Sequence, residues 1–322
     1  MGEKIYEFRG GREATAGAPV PLRVVGLHDF LAMDIPPREV ILSPWLLSQS
    51  VNMIYGWRGT GKTYLGLSIA YAVASGGSVL GWDALRARKV FYMDGEMLAA
   101  PLQERLSGIV SGSDREPEPG MLSILTPDLQ KRYMPDLATL EGQAAVAEIM
   151  PAKTELVMVD SLSSLARGDR KENDAESWVP IADWALAQRV AGRSVLFFHH
   201  ANKRGEQRGT SKREDLLETV LVLRSPANCE PHKGAKFEVH IEKSRGLCSE
   251  FQAIEAELTA PQGGTGVVWS FKPLEQTRAQ KIRRLHADGM SKNEIAEELH
   301  IDRSTVYREL KRQSASDSAG AK

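Results

Sequence analysis

The chain has 322 residues, of which 42% are apolar and 26% charged, with a formal net charge of −1. That composition is globular and excludes a wholly disordered or fibrous chain. The near-zero charge gives no support for a general polyanion binder and leaves only local basic patches to consider. Two cysteines, Cys229 and Cys248, exclude a disulfide scaffold, are too few for a zinc knuckle, and point to a reducing, cytoplasmic compartment. No run of about 18 apolar residues occurs, so no membrane span is expected. The start Met1-Gly2-Glu3-Lys4 lacks the apolar core of a secretory signal, and Tyr6 stands where myristoylation needs Ser or Thr.

Residues 1–20 are rich in Gly, Ala and charge without apolar periodicity, which predicts a disordered arm. A main domain is expected over residues 21–275. Its lead-in, residues 21–50, has short apolar pieces broken by Pro36-Pro37 and Pro44. From Val51 the pattern alternates between strand and helix. Val51–Tyr55 reads as a strand ended by Gly56, and an amphipathic helix is expected from Lys62 to Ala74. Lys89–Met93 reads as a second strand, Leu98–Val110 as a helix, and residues 111–120 as a surface loop. Leu156–Val159 is a buried-type strand ending at Asp160. Glu176–Val190 is helical, and Ser194–Phe198 is another buried strand. Such alternation implies a parallel sheet covered by helices on both faces. Thr219–Leu223, Phe237–Glu242, Ile254–Leu258 and Val267–Phe271 then follow without long helices between them. They read as antiparallel additions to the sheet edge.

Gly56-Trp57-Arg58-Gly59-Thr60-Gly61-Lys62-Thr63 fits G-x-x-x-x-G-K-[ST] between a strand and a helix. The glycines let backbone N–H groups turn inward around phosphate oxygens. Lys62 reaches the β- and γ-phosphates, Thr63 offers its hydroxyl to Mg²⁺, and the helix N-terminus faces the anion. ATP and Mg²⁺ are therefore the expected cofactors. Asp160, at the end of an apolar strand, suits a Walker-B carboxylate that holds Mg²⁺ through water. Asp94-Gly95-Glu96 ends the second strand, at the edge where ligands bind in parallel sheets. Glu96 is the candidate to polarise the attacking water, with Asp94 as the second choice. His199-His200 ends another strand; neighbouring side chains point to opposite faces, so the pair is not a metal site. One of them can instead donate a hydrogen bond to a γ-phosphate.

Together these residues resemble the RecA-like ATPases, and within them the small hexameric replicative helicases of broad-host-range plasmids (RepA-type). The resemblance covers residues 40–260. It rests on the phosphate loop, the acid after the second strand, the Walker-B strand running into Ser161-Leu162-Ser163-Ser164-Leu165, the His-His strand end before Ala201-Asn202-Lys203, and Arg208-Gly209-Thr210-Ser211. It implies an α/β fold: a RecA-like P-loop NTPase core with a mostly parallel sheet and late antiparallel strands. It also implies a homo-oligomer, a hexameric ring, threaded by single-stranded DNA. Lys62, Thr63, Glu96, Asp160 and His200 would act as phosphate clamp, Mg²⁺ ligand, catalytic base, water-mediated Mg²⁺ ligand and γ-phosphate sensor. Glu218 stands where the plasmid helicase has its arginine finger. Lys243-Ser244-Arg245 instead looks like the Lys-x-Arg pair that related ring ATPases insert into a neighbour's site, which makes Arg245 the candidate finger; Arg208 and Arg224 are further candidates.

Beyond Lys272-Pro273 the pattern becomes all-helical, with a small domain expected over 276–313 and a disordered tail over 314–322. Residues 277–322 carry ten Lys/Arg and seven Asp/Glu, a balance of +3 that leaves −4 for the rest. Ile282 and Leu285 share one helical face. Gly289-Met290-Ser291 breaks the chain, and Ser291 with Glu294 forms a capping-box pattern. Ile295, Ala296 and Leu299 make a second apolar face, Asp302 caps a third helix, and Val306 and Leu310 face inward. This spacing is that of a helix-turn-helix. It resembles the DNA-binding tails of serine recombinases and short regulators. Arg303, Ser304, Thr305, Tyr307 and Arg308 would then be available to bases or phosphates of a duplex, and Lys311 and Arg312 to phosphates. Three functions fit these features: a replicative helicase of a mobile element, a non-unwinding DNA-binding ATPase that regulates replication or partition, and an ATPase whose tail binds a protein.

Overall fold

The structure is a computed structural model that describes residues 23–131, 133–167, 175–201, 215–226, 235–245, 251–260, 266–274 and 278–319. The expected arm 1–20 lies outside them. The chain divides into two compact units, Met1–Lys272 and Pro273–Lys322.

In the first unit the elements run α1 (Leu27–Leu31), β1 (Val40–Leu42), β2 (Leu46–Leu47), β3 (Val51–Gly56), α2 (Lys62–Ser75), β4 (Ser78–Val79), β5 (Trp82–Asp83), β6 (Val90–Asp94), α3 (Ala99–Ser111) and β7 (Leu122–Leu125). They continue with α4 (Leu140–Ile149), β8 (Leu156–Asp160), α5 (Leu162–Leu165), α6 (Ala175–Val190), β9 (Ser194–His200), β10 (Thr219–Arg224), β11 (Lys236–Ser244), β12 (Ile254–Thr259) and β13 (Val268–Pro273). Nine strands form one sheet in the order β13-β12-β11-β10-β3-β9-β8-β6-β7. The six from β10 to β7 are parallel, and β11 turns antiparallel on β10.

Alternation along the strands explains the two apolar layers. Ile54, Tyr92, Met158, Leu196 and Phe198 share a core with Leu65–Ala74 of α2 and with Leu102 and Ile109 of α3. Met53, Phe91, Met93, Val157 and Phe197 share the other with Val146 of α4 and Trp178, Ile181 and Trp184 of α6.

The structure corrects three readings and adds two elements. Thr219–Arg224 is not an antiparallel edge addition: it pairs parallel with β3, with Leu223 opposite Gly56. Its five buried residues belong to a strand inside the sheet. The helix after the phosphate loop is not amphipathic, because eleven of its fourteen residues are buried. It is covered all round, as its run of Leu, Ile, Ala and Val permits. Two elements had no clear pattern in the sequence. β7 is a four-residue edge strand with one buried residue. α4 is marked by its cap, where the Thr139 hydroxyl accepts from Gly142 N at 3.0 Å. Lastly, residues 314–319 are helical rather than disordered, since the final helix extends to Ala319.

The second unit has α7 (Arg278–Ala287), α8 (Lys292–Glu298) and α9 (Arg303–Ala319). Ile282, Ile295, Ala296 and Val306 form its core, backed by Leu285, Met290, Leu299, Ile301 and Leu310. Ser291 and Glu294 close a reciprocal capping box at the start of α8. Asp302 accepts from Ser304 N at 2.8 Å to open α9.

Candidate functional site

The phosphate loop joins β3 to α2. Gly59 and Gly61 have φ of 78° and 95°, a region that L side chains avoid. Space is also short there: a Cβ on Gly61 would overlap Ala235 Cβ, and one on Gly56 would lie 2.8 Å from Leu223 O. The Lys62 ammonium is buried and donates to Gly56 O at 2.9 Å and Trp57 O at 2.6 Å. Burial lowers its pKa to about 8, against the opposing pull of Asp160 and Glu96. Thr60 Oγ1 donates to Trp57 O at 2.8 Å and braces the loop. Trp57 is 44% exposed. Arg58 lines the cleft.

The cleft beside this loop has a volume of about 650 Å³. Four strand ends supply it, because β3, β9, β8 and β6 are consecutive parallel neighbours. Asp160, at the end of β8, is buried and accepts from the Tyr92 hydroxyl at 2.6 Å and from the Thr63 hydroxyl. Burial raises its pKa, and these two hydrogen bonds oppose the rise. Glu96 lines the cleft, half-exposed, and takes hydrogen bonds from Ser161 Oγ and, at 3.4 Å, from His200 Nε2. His200, then Ser161, and the charges of His200 and Lys62 hold its pKa down to about 2, against burial. Glu96 is therefore an ionised acceptor throughout the physiological range. Asp94 is the more basic carboxylate, pushed up to about 6 by burial and by Asp160. It is only 1% exposed, however, and its oxygens face Thr126 and the backbone N–H groups of Glu96 and Met97. Access favours Glu96 as the group that meets a substrate. His199 is fully buried on the other side of β9, with Nδ1 3.5 Å from Ser163 Oγ.

Lys62, Thr63, Glu96, Asp160 and His200 are thus brought together, and Arg245 is not. Ser244 pairs with Thr219 at the start of β10, so Arg245 lies at the amino ends of the parallel strands, opposite the phosphate loop. It is exposed, and its guanidinium donates to Asp215 O at 2.5 Å. Glu218 sits at that same end, ion-paired with Arg38. Arg224 is exposed at the opposite end of β10, and Arg208 lies outside the described residues.

Sequence reasoning missed Arg105 and Tyr64, which also line the cleft. The Arg105 guanidinium is 4.6 Å from the centre of the Tyr64 ring, and Nη1 is 3.2 Å from Met97 Sδ. The sequence held only a partial signal: Arg105 falls between Leu102 and Ile109, a charge set on the buried stripe of α3, which does not by itself mark a site. A second cavity of about 600 Å³ lies at the far end of α2. It has no phosphate cradle; of its polar side chains, Tyr71 donates to Arg115 O and Trp269 to Ser68.

In the helical unit, Arg303, Ser304, Tyr307, Arg308 and Lys311 are exposed on α9, and Thr305 is half-buried. The Lys292 ammonium lies 4.8 Å from the centre of the Tyr307 ring. The Arg312 side chain lies outside those described.

Comparison with known proteins bears on each of the two units. An AAA domain matches residues 18–206, and a homeodomain-like domain matches residues 272–322. No curated protein matches the chain. Among solved structures, the KaiC-like protein PH0186 from the hyperthermophilic archaeon Pyrococcus horikoshii OT3 is similar over 70% of this chain and 90% of its own, with 16% identity and a TM-score of 0.49. The AAA match spans more than half of the sequence and contains the phosphate loop, Glu96, Asp160 and His200, so the chain belongs to the AAA domain family of P-loop ATPases, with a helix-turn-helix unit after the ATPase core.

Proposed function

We propose that this chain is an ATP-driven motor on DNA, a RepA-type replicative helicase of a mobile element that works as a homo-oligomeric ring, a hexamer. The observation that carries the reading is the contact of Glu96 with His200 across the mouth of the phosphate cleft. With Glu96 read as the acceptor for the attacking water, the donor beside it at the end of β9 supports this reading, since loss of the γ-phosphate would change what both groups bind.

The donor set suits Mg²⁺, a hard cation that prefers oxygen: the Thr63 hydroxyl and the buried Asp160 carboxylate point at one place and hydrogen-bond each other. Bound there, Mg²⁺ would neutralise phosphate charge. Lys62 exchanges two loop carbonyls for phosphate oxygens. The N–H groups of residues 56–63 cradle the phosphates. Glu96 orients water in line with the γ-phosphorus and takes its proton, and His200 donates to the γ-phosphate. Exposed Arg245 acts in trans, on the cleft of a neighbouring copy. Single-stranded DNA runs through the ring. α9 enters a duplex major groove, with Arg303, Ser304, Thr305, Tyr307 and Arg308 near base edges or phosphates and Lys311 and Arg312 on phosphates.

Strand displacement on a forked substrate tests this. ATP-dependent unwinding is expected, and Lys62→Ala should abolish it. An assembled sample that hydrolyses ATP without displacing a strand would instead assign a non-unwinding regulator of replication or partition.

A further inference from the structure

Asp94 is among the most deeply buried carboxylates near the cleft, yet it does not line it. Its position in the sheet is fixed: it ends β6 directly opposite Asp160 on β8. From there its side chain turns onto the backbone of the second and third residues after it. Oδ2 accepts from Met97 N at 3.1 Å and from Thr126 Oγ1 at 3.2 Å, and Oδ1 faces Glu96 N at 3.4 Å. Gly95 N donates to Asp160 O at 2.7 Å. A Cβ on Gly95 would overlap Ser164 Oγ and lie 2.8 Å from Leu165 Cγ. Three successive N–H groups are therefore spoken for, and the turn has no room to relax.

We infer that Asp94 is a positioning residue: its carboxylate, steadied by Thr126, holds the 94–97 turn so that Glu96 points into the cleft and Met97 seats Arg105. The inference rests on the reading of Glu96 as the group that activates water. It assigns Asp94 a task that its neighbours cannot share. Only a carboxylate offers two oxygens to two backbone donors and a hydroxyl at once. Asparagine would keep one oxygen and turn an amide donor toward N–H groups that need an acceptor. Beyond the turn, the Met97 sulfur is the one polar group within hydrogen-bonding distance of Arg105 among the described residues. A shift of Met97 therefore reaches the cation that stacks on Tyr64. Asp94 touches no substrate; it acts through Glu96.

A double-mutant cycle on the full chain separates this role from that of a second base. ATP hydrolysis and ATP affinity are measured for Asp94→Asn, Glu96→Gln and the double variant. Asp94→Asn is expected to lower kcat by ~10-fold or more and leave ATP affinity within ~3-fold, and the double variant should be no slower than Glu96→Gln alone. Losses that multiply would show Asp94 acting independently of Glu96 and would overturn the inference, as would an unchanged kcat for Asp94→Asn. If Asp94→Asn does not fold, Thr126→Val and Thr126→Ser carry the test: Val should reduce kcat and Ser should restore it, and equal rates for the two would overturn the inference. A Glu96→Gln protein at full rate would bring down the base assignment itself. That outcome is distinct from the one in which Glu96→Gln is slow and the losses multiply.

Discussion

In the ATPase core, the groups that meet at the cleft are far apart in the chain: Glu96 is bonded to Ser161, 65 residues on, and to His200, 104 residues on. In the helical unit, the groups that fix each helix are neighbours. Ser291 and Glu294 cap each other across three residues, and Asp302 reaches Ser304 across two. The contrast follows from what each part must do. The proposed phosphate chemistry uses a lysine, two carboxylates and a histidine at one point, and the adjacent ends of parallel strands bring these together. A helix placed in a groove needs a stable axis and an exposed face, which caps and a small core of Ile282, Ile295, Ala296 and Val306 supply. Damage should therefore spread in the core and stay local in the helical unit.

The largest expected effect tests the first half of that statement. Gly61 combines φ of 95° with a neighbour, Ala235, that an added Cβ would overlap. Ala235 leads into β11, far along the chain from the phosphate loop. Gly61→Ala should lower ATP affinity ~100-fold, from left-handed strain together with the overlap. Gly59 has a similar φ but nothing near its absent Cβ, so Gly59→Ala should cost only the strain, ~10-fold. Equilibrium binding of a fluorescent ATP analogue measures both. Equal losses would mean that packing against Ala235 does not shape the loop.

A smaller effect is expected on the face of α9. Arg303→Ala and Arg308→Ala should each weaken duplex binding ~10-fold while leaving ATP hydrolysis in place. Lys311→Ala should weaken all duplexes alike and reduce the slope of log affinity against log salt by about 1. Titrations of labelled duplex at several salt concentrations check this. Unchanged binding in all three would point to a protein partner for the tail.

The same contrast decides what the sequence reveals. The phosphate loop, Asp160 at a strand end and the Ser291–Glu294 box are legible because each is a local string whose spacing is its chemistry. The helical unit is legible almost whole for this reason, apart from the length of α9. The place of Thr219–Arg224 is not, because four apolar residues after a threonine look alike in an edge strand and a central one, and only its pairing with β3 settles which it is. Asp94 and Glu96 could be named as candidates two residues apart. Their different surroundings could not be read, since Thr126, Ser161 and His200 arrive from other strands. Arg105 shows the remaining gap: a charge on a buried stripe marks a site only once something is known to lie opposite.

The smallest expected effect lies in the capping box. Glu294 accepts from Ser291 N at 2.7 Å, and this bond, with that to the Ser291 side chain, lowers its pKa from the ordinary value of 4.5. A carboxylate with a depressed folded pKa adds stability that is present above the unfolded value and is lost as pH falls through the folded one. Protection of residues 292–299 against hydrogen exchange should therefore hold from neutral pH down to the ordinary carboxylate range and decline below it. Glu294→Gln should keep the reciprocal box, because an amide oxygen still accepts from Ser291 N, yet should lose the decline with acid. Ser291→Ala should lower protection at every pH, by about 1 kcal/mol of helix stability. If Glu294→Gln kept the acid decline, another carboxylate would be responsible. Asp302 is the one to examine next, since its pKa is lowered in the same way by Ser304 at the start of α9.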